Sequence, residues 1–181
     1  MVSLHGDSRS GIYHSRGDGP SAHARRVPLT ELRDSSLRQA MTAWDGYCGL
    51  DNAFDRSKHP VAEIYTDSRL LTPRSSVLRV TDHNPQKWIF VYFGAGFGVF
   101  GGQSYVGRRM CDFPAKATTE VSAYSFADAA VSKRPVAHEI EGVMENFFIK
   151  YQRIAFPILD CDGELFEMLT ISSDVFRVTF D

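Results

Sequence analysis

The sequence predicts an α+β domain built on an antiparallel sheet, and three observations carry that prediction. Strand-like runs come in pairs joined by short polar turns, VLRVT with WIFVYF and FFIKYQRIAFPIL with LFEMLTIS. Helical patterning falls before the first pair and between the two pairs, rather than alternating with single strands. The longest aromatic run ends in glycines and an early proline, which leaves no room for the crossover helix a parallel sheet needs.

Taken in order, residues 1–27 hold Gly, Ser, Asp, Arg and three histidines with little to bury. Such a segment does not offset the entropy of ordering, and a mobile arm is expected there. Its His5, His14 and His23 lack metal-ligand spacing. Residues 28–76 form an amino-terminal helix and a connector. Thr30 is a cap candidate, Leu37, Ala40, Met41, Trp44 and Tyr47 recur at three- and four-residue steps, and Gly46 and Gly49 are stop signals. That stripe must lie on its own domain or on a second copy of the chain. In the connector, Pro60 and Pro73 break any continuous helix, leaving a loop and a short turn or helix containing Ile64, Leu70 and Leu71.

Val77 to Thr81 and Trp88 to Phe93 are the first strand pair, turned by Asp82 to Gln86. Ser125 to Arg134 reads as a helix with Ser125 as cap and Pro135 as terminator. Three strands follow, Val136 to Ile140, Phe147 to Leu159 and Leu165 to Ser172, the last two flanking the hairpin signal Asp162-Gly163. Residues 175–181 are a carboxy-terminal tail.

Gly96-Phe-Gly98-Val-Phe-Gly101 spells the G-x-G-x-x-G of a dinucleotide turn, and Glu120 lies where a ribose-binding acid would. The motif needs a long helix starting at its third glycine to face a pyrophosphate. Gly102, Gly107 and Pro114 follow instead. The glycines are read as allowing an aromatic strand to bend sharply, walling a small cavity.

Composition excludes several classes. The net charge of −2 and dispersed basic residues give no nucleic-acid surface. Cys48, Cys111 and Cys161 form no C-x-x-C pair and suit reduced thiols. No secretory core or run of about 18 apolar residues appears, so a cytoplasmic protein off the membrane is expected. Asp160, Asp162 and Glu164 share a solvated hairpin tip, and no nucleophile elbow or H-E-x-x-H helix occurs; an enzyme is not expected.

Between Val77 and Ser172 the chain resembles the PAS domain superfamily, in particular the small stand-alone PAS proteins of proteobacteria. VLRVTDHNPQKWIFVYFG is similar to the first PAS hairpin. GQSYVGRRMCDFP is similar to the family's GR-x-L-x-D stretch, with Val106-Gly107-Arg108 and Asp112 in register. SFADAAVSKRPV resembles the long helix with its Arg-Pro exit, and FFIKYQRIAFPILDCDGELFEMLTIS the closing hairpin, with Tyr151, Arg153, Pro157 and Asp162-Gly163 in place.

The resemblance implies a PAS-like domain over residues 77–174, a five-stranded antiparallel sheet in the order 2-1-5-4-3 with helices on one face. It implies sensing of a small molecule or docking of a signalling partner such as a histidine kinase. It also implies homodimerisation through the preceding helix, here by Leu37, Met41 and Trp44. Tyr92, Tyr105, Phe126, Tyr151 and Arg153 fall on elements that line the family's cavity; the alternative is that the aromatics fill the core and Arg153 pairs with a surface acid. Haem-binding members use a histidine near the helix, a position His138 fits better than His83. No output module is expected beyond the domain, so any signal would be expected to pass through a partner. Two rivals stand beside this reading: an enzyme on a nuclear-transport-factor-like α+β cone, with an Asp/His pair inside the cone, and an adaptor whose cavity is filled by its own aromatics.

Overall fold

The structure, a computed structural model, describes residues 12–14, 21–48, 54–56, 59, 61–100, 103–113, 116–143 and 147–179. Its centre is a long strand, β7 (Phe147–Leu159), whose period-two pattern sends side chains to two covered faces. Ile154, Phe156 and Ile158 point to one face and Tyr151, Arg153 and Ala155 to the other.

β7 pairs antiparallel with β6 (Val136–Val143) on one side and with β8 (Leu165–Ser172) on the other. Beyond β8 lie β4 (Ser75–Arg79) and then β5 (Ile89–Phe93). Beyond β6 lie β2 (Ser21–Val27) and β1 (Ile12–His14). The path is therefore β1-β2-β6-β7-β8-β4-β5. The hairpin at Asp162-Gly163 forms as the sequence indicates, with Gly163 at φ +75 and the Asp160 carboxylate accepting from the Asp162 and Glu164 amides.

Several sequence expectations need correction. The arm was expected to stay unstructured through Val27, but Ser21–Val27 is a strand along β6. Small Ala22 and Ala24 let it pack closely under a helix, and Arg25 meets Glu139. Met1 to Gly11 and Ser15 to Pro20 lie outside the described residues. The tail also contributes a strand, β9 (Phe176–Thr179), against the start of β7.

The helix expected to start at Ser125 begins nine residues earlier, as α3 (Lys116–Ser132). Thr118, Thr119 and Val121 have weak helix propensity, yet burial against the sheet overrides it. Ser125 is thus a mid-helix residue, not a cap. The helix stops at Lys133, which takes φ 50, before Pro135.

The last correction concerns helix placement. α3 covers one face of the sheet, but α1 (Ser35–Cys48) and α2 (Val61–Thr66) cover the other. Asp34, rather than Thr30, caps α1: its Oδ1 accepts from the amides of Ser36 at 2.8 Å and Leu37 at 3.2 Å. Thr30 lies in a separate short turn, Leu29–Glu31. Leu37 and Trp44 have no exposed surface; Trp44 packs on Phe156 at 4.8 Å and on Phe54 of β3 (Phe54–Asp55) at 5.9 Å. Met41 lies half-buried beside them. The stripe assigned to a dimer contact is taken up by the chain's own sheet. Dimerisation through Leu37 and Trp44 would strip the fold of that core.

A cavity between the central strand and its covering helix

The α3 side of the sheet carries a cavity of about 60 Å³. Its apolar wall comes from the glycine-rich bend after β5. Gly94 and Gly96 lie so close to Pro73 that an added Cβ would sit 2.2 Å and 2.8 Å from the Pro73 carbonyl oxygen. The Gly96 amide donates to that oxygen at 2.7 Å. Close approach, not positive φ, is what these glycines supply. The bend carries Phe93 and Phe97 to the cavity, where the rings meet at 4.8 Å, and Phe113 and Phe90 complete the wall.

The chain after the bend runs back along β5 instead of starting a helix. The Phe90 amide donates to Arg108, the Gly107 amide to Phe90 and the Met110 amide to Trp88. Gly107 holds φ +82, and Asp112 accepts from the Arg109 amide at 3.0 Å. A dinucleotide turn is thereby ruled out: the next helix is α3, and its sheet neighbours are antiparallel. Gly101 and Gly102 lie outside the described residues.

The opposite side carries hydroxyls within a lining that is mainly apolar. Thr118, Ser122 and Ser125 recur at helical steps on α3 and face β7. There Arg153, only 7% exposed, donates from its terminal nitrogens to the hydroxyls of Ser122 and Ser125, each at 2.8 Å. Its guanidinium stands over the Phe126 ring at 4.8 Å, and its Nε has no partner. The alternative of a surface acid for Arg153 is overturned: among the described residues no carboxylate forms an ion pair with it. Desolvation pulls its pKa down, but a guanidinium stays charged at neutral pH. Ser76 and Thr170, joined at 2.8 Å, and Ser172 add hydroxyls to the sheet floor. The Tyr151 hydroxyl has no hydrogen-bond partner among the described residues, and burial raises its pKa.

Of the five pocket candidates, Phe126, Tyr151 and Arg153 line this cavity together. Tyr105 is buried just outside it, against Phe93 and Phe113 at 5.3 and 4.7 Å. Tyr92 packs toward the α1 face, with its hydroxyl 3.4 Å from the Thr72 carbonyl. The hydroxyl stripe on α3 escaped the sequence reading because no helix was expected before Ser125. Its spacing, Thr118-x-x-x-Ser122-x-x-Ser125, was the available signal.

His138 is 1% exposed but does not line the cavity. It sits between β6 and α3, with Nε2 3.4 Å from Asp128 Oδ2 and its ring edge-on to Tyr124 at 5.9 Å. The Asp128 carboxylate is the polar group nearest Nε2, in a geometry short of a well-formed hydrogen bond. Burial draws the His138 pKa down, and Asp128 only partly restores it. Cys48 is half-buried with its thiol pushed up to about 12 by burial, whereas Cys111 and Cys161 are exposed. Among the described residues no three His, Cys, Asp or Glu side chains gather as a metal site, and no helix is long and apolar enough to cross a membrane.

Comparison with known proteins gives likeness in structure alone. No family model matches the chain, and the search of curated proteins gives no match. A solved structure of an RNA-binding Light-Oxygen-Voltage receptor is similar over 86% of this chain, with TM-score 0.49 and 18% identity. The chain spans 39% of that structure's length. What the coordinates establish is an α+β fold with a largely antiparallel sheet.

Proposed function

We propose that the chain is a PAS-type sensory domain whose cavity under α3 takes a small molecule. The observation that carries this is a half-open, mainly apolar space between α3, the glycine-rich bend and the sheet, with hydroxyls and the buried Arg153 on one side. The strand path supports it. Numbering the five sequence-derived strands in chain order, β5-β4-β8-β7-β6 reads 2-1-5-4-3, and α3 falls between the second and third.

Ligand contacts act by population shift, favouring one packing of the helices on the sheet over another. Output passes to a partner in the cytoplasm, either a second copy or a signalling protein such as a histidine kinase. A haem of His138 would need the Asp128 contact broken and a far larger space, so the cavity's occupant is a smaller molecule.

The enzyme reading has one observation in its favour, the contact of His138 with Asp128. That pair lies behind the cavity wall rather than inside a cone, so no substrate held in the cavity reaches it. Native mass spectrometry of protein purified from its own cells tests the sensory reading. A retained small molecule supports it; reproducible absence favours the adaptor, with the aromatics filling their own cavity.

A further inference from the structure

Arg153 is held where a buried cation is hardest to justify. A charge taken out of water costs several kcal/mol unless an opposite charge meets it, and the groups around this one are two hydroxyls and an aromatic ring. Two of the five N–H donors of a guanidinium go to Ser122 and Ser125. The Nε–H and one proton on each terminal nitrogen are left over. Ser125 spends its own proton on the Ser122 carbonyl at 2.9 Å. The Ser122 and Tyr151 hydroxyl protons have no acceptor among the described residues. Several donors and one positive charge therefore line a space that holds hydroxyl oxygens but, among the described residues, no carboxylate.

We propose that this space takes a short-chain monocarboxylate, its carboxylate on Arg153 and its carbon tail against Phe93, Phe97 and Phe113. The inference rests on the sensory reading and names its ligand class. Charge decides against a dianion, which would leave one negative charge uncompensated among phenyl rings. Size decides against an aromatic acid: about 60 Å³ compares with the ~150 Å³ of a cavity that admits benzene. The apolar wall favours a carboxylate with a tail over a hydrated inorganic anion.

The test is thermal unfolding of the purified chain at matched ionic strength with sodium propionate, neutral propionamide or sodium chloride. Propionate raises the midpoint saturably, by roughly 5–10 °C at about a hundredfold excess over its Kd; propionamide and chloride leave it in place. In Arg153→Met the propionate response disappears, and in Arg153→Lys it weakens about tenfold, because an ammonium does not grip a carboxylate bidentately. An equal response to propionamide, an equal response to chloride, or a full response in Arg153→Met overturns the proposal. Should Arg153→Met fail to fold, the three-way comparison on the unaltered chain decides alone. If propionate is silent while a neutral molecule copurifies, the carboxylate falls and the sensory reading stands; if nothing binds at all, both fall.

Discussion

Replacing Trp44 with Ala tests whether α1 belongs to this chain's own core. Trp44 has no exposed surface and touches rings on two strands, Phe156 at 4.8 Å and Phe54 at 5.9 Å. A buried aromatic covers roughly 150–250 Å², which at ~25 cal/mol per Å² is about 4–6 kcal/mol of transfer free energy. Part of that surface stays covered by Ala and by relaxation of the site, so a loss of about 4 kcal/mol is expected, within the range for Trp→Ala in cores. In a domain of this length such a loss lowers the melting midpoint by roughly 8–16 °C.

Urea unfolding at two protein concentrations about a hundredfold apart is the assay, with unchanged slope marking two-state behaviour. The wild-type midpoint should be the same at both concentrations as far as this helix is concerned, and the variant should lose stability equally at both. A loss below about 1 kcal/mol, or a wild-type midpoint that rises with concentration and a variant midpoint that does not, refutes the packing. The helix would then be spent on a second copy.

Other consequences follow from single residues. His138 has a folded-state pKa below its ordinary 6.5, so the unfolded chain binds its proton first; stability is complete above that value and falls as pH drops below it. The groups facing the ring are Asp128 and Tyr124 on α3, Arg26 on β2 and Arg153 on β7. Denaturation curves between pH 7.5 and 5.5 (about one unit either side) should show the loss, and His138→Gln should flatten it; an unchanged slope in that variant refutes the assignment. Gly46, on the exposed face of α1 with open space at its Cβ, should gain about 0.5–1 kcal/mol as Ala. Gly94→Ala should instead lose several kcal/mol, since its Cβ would press on the Pro73 backbone. Equal melting points for the two would contradict the bend. At pH 8 (near the ordinary thiol pKa), iodoacetamide should label Cys111 and Cys161 well before Cys48; equal rates would count against the burial of Cys48.

Which parts of the fold the sequence disclosed follows from where the signal lay. Phe147–Leu159 and Leu165–Ser172 were legible to the residue because two long apolar runs flank an Asp-Gly turn that admits one register. Ser21–Val27 was not, since half its residues are polar or basic and its pairing depends on β6, more than a hundred positions away. The first half of α3 was hidden because Thr and Val weaken local helix preference while tertiary burial selects the helix. The cavity showed the same division. Phe126, Tyr151 and Arg153 were found through the resemblance and the walling bend through its glycines, while Ser122 was missed because the start of α3 was. The stripe of Leu37 and Trp44 was correctly seen as apolar, but periodicity does not say which surface it covers.

The occupant of the cavity is settled most directly by a crystal structure grown with propionate. The account predicts a carboxylate within hydrogen-bond distance of the Arg153 guanidinium, with α3 still in place over it. A water-filled or collapsed space, with Arg153 turned onto an Asp or Glu of the chain, would contradict it.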